Sequence, residues 1–230
     1  MEYLPKGYTL ELASEAFPLS TDSMILAHFA RLPKNAAVLD LGSGCGTLGL
    51  LLCAADSACT ITGLELSEEA HKAALENIRR NALTSRLKSI CTDLRQVPAL
   101  FAPGSFSCCI SNPPYFSGGP ASLSLTAARR EDSCNLKELM VSAAWALKYG
   151  GDFFLVHRPE RLGDIIARAA ETGLEAKRLL LVRHRPQSNI SIIALQLRKG
   201  GKPGLIIEEA CLFDASGMPT RYNQSVYHAD

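Results

Sequence analysis

The residues that most restrict how this chain can fold are Val38-Leu39-Asp40-Leu41-Gly42-Ser43-Gly44-Cys45-Gly46. An apolar run breaks into alternating glycines and then enters Thr47-Leu48-Gly49-Leu50-Leu51-Leu52. Glycine at such a turn permits positive φ and lets the backbone come close to a ligand. A strand that turns through glycine into a helix is the opening unit of an α/β sheet, and the rest of the chain repeats the alternation. Strands are expected at 36–41, 59–64, 87–91, 106–110, 153–156, 176–183 and 191–197. Helices are expected at 47–55, from the Ser67 cap to about 82, at 136–147 with Gly150 as its C′ residue, and at 162–170. This predicts a mostly parallel seven-stranded sheet with helices on both faces. Its last two strands have no helix between them, so they form an antiparallel hairpin.

Ahead of this pattern, Ser20 or Thr21 can cap a helix carrying Met24, Ile25, Leu26, Ala27 and Phe29, which Leu32-Pro33-Lys34-Asn35 breaks. Behind it, the glycine- and lysine-rich stretch 199–204 reads as a loop, 205–213 as a candidate extra strand, and the tail from Asp214 as polar. The expected organisation is one domain over 1–230, with a cap segment (1–35), a core (36–198) and an extension (199–230).

Composition excludes several classes. With 47% hydrophobic and 20% charged residues, the chain has the make-up of a globular protein that buries a core. A net charge of +1 gives no global pull toward nucleic acid, so any basic patch is local. The eight cysteines show no C-x-x-C spacing and the five histidines no ligand spacing, so no metal is expected. Free thiols in apolar runs favour a reducing cytosol, and no apolar run reaches membrane-spanning length. No G-x-S-x-G elbow supports a hydrolase.

Acids stand at the ends of successive expected strands. Gly44-Cys45-Gly46-Thr47-Leu48-Gly49 matches G-x-G-x-x-G, and Glu65 follows about 20 residues on, where it could hold ribose hydroxyls. That much fits a nicotinamide cofactor or S-adenosylmethionine alike. Asp40, just before the glycines, suits an ammonium and would repel a pyrophosphate. Asp93, in Cys91-Thr92-Asp93-Leu94, can accept from an adenine amino group. These two acids favour S-adenosylmethionine.

The strand at 106–110 runs into Ser111-Asn112-Pro113-Pro114-Tyr115-Phe116. The Asn112 side-chain oxygen and the Pro113 carbonyl can accept both hydrogens of a planar amine and free its lone pair to attack a methyl group. Tyr115, with Phe116 as a second candidate, can stack on a flipped base. Positioning and electrostatics suffice, without a strong base.

Asp40 to Gly46 together with Asn112-Pro113-Pro114-Tyr115 resembles the class I, Rossmann-like S-adenosylmethionine-dependent methyltransferases of amino groups. That motif does not choose between adenine N6, guanine N2 and the glutamine N5 of release factors. The flanks do. Phe17-Pro18-Leu19 with Thr21-Asp22-Ser23, Ala128-Arg129-Arg130-Glu131 and Arg158-Pro159-Glu160-Arg161-Leu162 resemble the bacterial valine tRNA adenine-37 N6-methyltransferases. Ser43, Cys45 and Arg130 depart from that pattern without removing a group the mechanism needs, and leave the RNA target open.

The resemblance implies that Asp40, Gly42 and Gly44 line the methionine end of the cofactor, beneath a cover from the segment ending at Asp22. It implies that Glu65 holds the ribose and Asp93 the adenine, and that Asn112, Pro113 and Tyr115 hold the target. Arg129, Arg130, Lys199 and Lys202, in expected loops, are the favoured RNA-backbone contacts; the other basic clusters read as solvated surface. A monomer is assumed. A release-factor glutamine methyltransferase is the runner-up, although it usually carries a helical domain before the glycine loop. An RNA-binding module without catalysis is the non-enzymatic alternative.

Overall fold

The computed structural model describes residues 1–13, 19–113 and 136–227. A short antiparallel pair opens the chain, β1 (Glu2–Tyr3) and β2 (Thr9–Leu10). The helix α1 (Thr21–Phe29) starts where the sequence placed it, with the Ser20 hydroxyl accepting from the Ser23 N–H. Then come β3 (Ala37–Leu41), α2 (Thr47–Ala55), β4 (Thr60–Glu65), α3 (Glu68–Arg80), β5 (Leu87–Cys91), α4 (Val97–Leu100) and β6 (Phe106–Ser111). After the undescribed stretch follow α5 (Leu136–Ala146), β7 (Leu147–His157), α6 (Leu162–Glu171), β8 (Leu174–Arg183), β9 (Ile190–Lys199), β10 (Ile206–Cys211) and α7 (Arg221–Tyr227).

Among the described residues the main sheet has eight strands, in the order β10-β8-β9-β7-β6-β3-β4-β5. Only β9 runs antiparallel to its neighbours, wedged between β7 and β8, so the expected hairpin is present. The seven-strand expectation falls one short, because β10 returns to pair in parallel with β8. The stretch expected as an extension therefore completes the sheet. Chain order reverses at β3: β4 and β5 lie to one side, β6 and β7 to the other. Such a switch point opens a crevice at the carboxyl ends of the strands.

Each face of the sheet carries its own core. Val38, Ile110, Phe154 and Ala194 pack against α1, α2 and part of α7 through Ile25, Leu50 and Val226. Leu39, Leu41, Phe153 and Leu195 pack on the other face against Leu139, Met140 and Ile165 of α5 and α6. The alternation of Val38 and Leu39, one to each face, is the period-2 signature of a strand covered on both sides.

Two local expectations change. Gly150 does adopt positive φ (78°), but α5 has already ended at Ala146. Leu147 is drawn into pairing with Phe106, so Gly150 serves the irregular start of β7, where the register against β6 shifts. The polar tail also holds a helix: α7 packs on α1, with Tyr227 Oη donating to Thr21 Oγ1 at 2.8 Å. Among the described residues, no helix is long and apolar enough to cross a membrane.

The N-terminal segment is held by asparagines rather than by sheet. Buried Asn77 on α3 accepts the Glu11 N–H at 2.8 Å and donates to the Glu11 carbonyl at 2.8 Å and the Cys45 carbonyl at 3.0 Å. One turn on, Asn81 accepts from Thr9 N and donates to Thr9 O, both at 2.8 Å. These two amides imitate a strand partner for residues 9–11 and tie that segment to the glycine loop. Replacing Asn77 with Ala strips partners from buried backbone groups. It should lower stability by about 2–3 kcal/mol, read as a shift in the midpoint of urea unfolding.

Candidate active site

The β3–β6 ladder ends with Asp40 opposite Ile110. Beyond it the Ser111 hydroxyl donates to the Leu41 carbonyl at 2.7 Å, so the last buried carbonyl is satisfied by a side chain while the backbones part. Into this gap the structure brings Asp40, the glycine loop, Glu65 and Asn112.

Gly42 and Gly44 hold φ of 76° and 55°, a region costly for other residues. A Cβ at either would meet no atom within 4 Å, so conformation rather than crowding demands glycine there, and the loop keeps an unobstructed face. Gly63 acts by close approach: a Cβ on it would lie 2.6 Å from Ser43 Oγ. Its missing side chain lets the loop lie against β4.

Glu65, the last residue of β4, spans two backbone donors. Its Oε2 accepts from Gly44 N and its Oε1 from Ser67 N, both at 2.8 Å. Each oxygen keeps a further lone pair, as ribose hydroxyls would need. The same carboxylate thus braces the loop and the start of α3.

Asp40 is the opposite case. It is 1% exposed, and neither carboxylate oxygen has a hydrogen-bond partner among the described residues. Burial, with the nearby Glu65 charge adding to it, pushes its pKa up to about 8. A buried, unpartnered acid beside a glycine turn fits a cationic group such as the ammonium of S-adenosylmethionine, and so the residues present suit that cofactor.

Asp93 stands at the expected place beyond β5, but Arg95 engages it. Arg95 Nε lies 3.0 Å from both carboxylate oxygens, and the carboxylate also caps the turn after it by accepting Arg95 N–H at 2.8 Å. These bonds hold its pKa below the usual carboxylate range. Asp22 lies in the first turn of α1. Asn112 is half-buried, and its Nδ2 donates to Ser23 Oγ on α1 at 2.9 Å. Pro113 follows, also half-buried. Phe17, Tyr115, Phe116, Arg129 and Arg130 lie outside the described residues.

Lys199 and Lys202 are not brought to the site. Lys199 is the last residue of β9, beside the start of β8, at the end of the sheet opposite Asn112. Its ammonium donates to the Leu147 carbonyl at 2.7 Å, which makes it a strand-end tie rather than a loop cation. Lys202 is exposed at that same end. The end that carries Asn112 instead holds Arg158, just after β7, and Arg183 and Arg185 at the end of β8. These are residues that sequence reasoning assigned to plain surface. Ser23 and Ser111 were also missed as site residues, because only the fold brings them to Asn112 and Leu41. His157 is buried at the end of β7 and its Nδ1 accepts the Arg158 N–H at 2.8 Å. Burial, followed by the Arg161 charge, drops its pKa to about 4 and keeps it neutral, in keeping with a structural part.

Residues 20–164, which carry Ser23, Asp40, the glycine loop, Glu65, Asp93 and Asn112, match the methyltransferase small domain family. The chain belongs to that family. Proteins from Photobacterium profundum and Bacteroides fragilis are 30% and 31% identical to this one over 87% and 79% of this chain and 85% and 77% of theirs. Both are named tRNA1(Val) (adenine(37)-N6)-methyltransferase, as is a Shewanella protein, 28% identical over 99% of this chain and 96% of its own. The fold is that of a crystal structure of a predicted O-methyltransferase from Agrobacterium tumefaciens, with a TM-score of 0.73 over 90% of this chain and 95% of that one at 20% identity.

The state of Asp40 gives this methyltransferase a measurable signature. A carboxyl whose pKa is raised on folding binds a proton in the native state that the unfolded chain has already released. Its contribution to stability is therefore present at pH 4 and is lost as pH rises toward 8. Unfolding of the ligand-free protein across this range should show that decline, and Asp40→Asn should flatten it.

Proposed function

We propose that this protein methylates the exocyclic N6 of an adenine in tRNA, using S-adenosylmethionine, in the cytoplasm. The observation that carries this reading is the Asn112 amide. It stands where β3 and β6 part, with Nδ2 bound to Ser23, and Oδ1 makes no hydrogen bond with the described residues. An unengaged acceptor beside a site fit for a methyl donor is what a planar amine requires. The names of the relatives support adenine N6 and tRNA as the substrate, with position 37 of a valine tRNA as the finer assignment.

When bound, S-adenosylmethionine supplies an electrophilic methyl group on a sulfonium. Asp40 and the glycine loop would hold its methionine end, Glu65 its ribose, and Asp93, shared with Arg95, its adenine. Asn112 Oδ1 and the Pro113 carbonyl accept the two hydrogens of the target amine and bias its nitrogen toward a tetrahedral shape. The lone pair so freed would take the donor's methyl group, with the cofactor's thioether as leaving group. The surplus proton leaves the nitrogen for solvent, so no side chain need serve as base. Tyr115 and Phe116 are proposed to stack on the base, and Arg129 and Arg130 to contact phosphate.

Arg183 and Arg185 extend the basic surface on the target side. Arg183 ends β8 and Arg185 follows it, three strand spacings from β6, or about 14 Å. Arg185 is exposed, while Arg183 is paired with Glu209 at 3.0 Å. Together they suit backbone phosphates flanking the extruded base. Converting both to Glu should weaken tRNA binding and reduce its salt dependence, measured by filter binding across a salt series. Converting Lys199 and Lys202 to Ala should do far less.

The decisive assay incubates the protein and S-adenosylmethionine with unmodified tRNA, and separately with a release factor. Nucleoside mass spectrometry should find N6-methyladenosine, abolished by Asn112→Ala. Methylation of the protein substrate alone would overturn the proposal. Cofactor binding should also release a proton near neutral pH, because an ammonium beside Asp40 favours its carboxylate. Calorimetry with S-adenosylhomocysteine in buffers of different ionisation enthalpy reads that proton, and Asp40→Asn should remove it.

A further inference from the structure

We propose that Ser23 is a positioning residue that decides which end of the Asn112 amide faces the target, acting from the first turn of α1. The inference rests on the reading of Asn112 as acceptor for the target amine. An asparagine amide has two ends of nearly equal shape, and only Oδ1 accepts. Rotated by half a turn, it would present N–H groups to the N–H groups of the substrate, and no bond would form.

Ser23 breaks that symmetry. Its Oγ receives Asn112 Nδ2 at 2.9 Å across 89 residues of sequence, from a side chain only 7% exposed as a residue. Ser23 Oγ lies 3.3 Å from Ser20 Oγ, which already accepts the Ser23 backbone N–H at 3.2 Å as the cap of α1. Because Asn112 Nδ2 can only donate, Ser23 Oγ must accept from it, and we assign the Ser23 hydroxyl hydrogen to the other oxygen in reach, Ser20 Oγ. The chain then reads from Asn112 Nδ2–H to Ser23 O–H to Ser20 Oγ, with acceptors and donors alternating. Asn112 Oδ1 is turned away from α1, toward the gap.

The supports on either side are fixed. Ser111 pins the end of β6 through its bond to Leu41 O. The helix α1 is braced by Tyr227 on Thr21 at 2.8 Å and by Ser225 beside His28 at 3.4 Å. The hydroxyl and the amide therefore cannot both drift to restore the contact by another route. Ser23 itself does not touch the substrate; it acts through Asn112.

The test compares wild type, Ser23→Ala and Ser23→Thr by steady-state methylation of unmodified tRNA, with S-adenosylhomocysteine affinity and thermal midpoint measured on each. Ser23→Ala should lower kcat about ten- to a hundredfold, the size of losing the Asn112 acceptor's hydrogen bond to the target amine. The KM for tRNA, the S-adenosylhomocysteine affinity and the midpoint should stay near wild type, and Ser23→Thr, which keeps the hydroxyl, should recover turnover. A second line replaces Asn112 by Asp, whose two carboxylate oxygens are alike and have no wrong end. Adding Ser23→Ala to Asn112→Asp should cost far less than in the wild-type background.

Full turnover by Ser23→Ala, or a loss matched by equal falls in cofactor affinity and midpoint, would overturn the inference while wild-type methylation leaves the proposed function standing. A wild-type protein that makes no N6-methyladenosine would overturn both.

Discussion

The whole site hangs on the point where two paired strands stop being paired. β3 and β6 keep their ladder only as far as Asp40 and Ile110, and the next carbonyl, Leu41, is taken by the Ser111 hydroxyl. A buried carbonyl left without a donor there would cost of the order of a kcal/mol or more. With it satisfied, the backbones diverge at little cost. β3 turns through glycines into α2, and β6 runs into Pro113, which has no N–H with which to extend a ladder. One strand delivers the groups suited to a methyl donor and the other the amide suited to an acceptor, and their separation is set by a single side-chain bond.

The two acids beside that gap are treated differently by the fold. Glu65 already has structural partners, holding the glycine loop and the start of α3 through one oxygen each and keeping a further lone pair on both. Asp40 is buried with nothing to hold. The loop geometry is therefore in place before any ligand arrives, while Asp40 remains the group whose charge state answers to one. A sequence selected for stability alone would not leave a carboxyl in that position. Such local conflicts gather where function demands them.

Much of this was legible because the signals were local. The Gly42–Gly46 turn, the Ser20 and Ser67 caps and the unbroken apolar runs located α2, α3, the start of α1 and β3 to β6 within a residue or two, while β7 begins six residues before its apolar run. What escaped depends on distant partners. β1 and β2 are too short to announce themselves, and the segment around them is held by Asn77 and Asn81, which read in sequence as ordinary helix polar residues. α7 has little apolar pattern of its own and gains its seat from α1. Lys199 looked like a loop cation because the length of β9 is set by its antiparallel neighbours rather than by its own composition. Ser23 was visible as part of a segment but not as a partner of Asn112, since 89 residues separate them.

The bracing of α1 by α7 has a consequence for how the molecule is assembled. Thr21 meets Tyr227 across 206 residues of chain, and His28 meets Ser225 across 197. Contacts of such separation close the largest loops the polymer contains and are among the slowest to form. Most of the sheet and both cores can collapse from nearer neighbours, but the helix that orients Asn112 receives its final support from the last described turn of the chain. Catalytic geometry is thus one of the last things the folding chain acquires, and a molecule interrupted before that stage would hold its core without a settled active site.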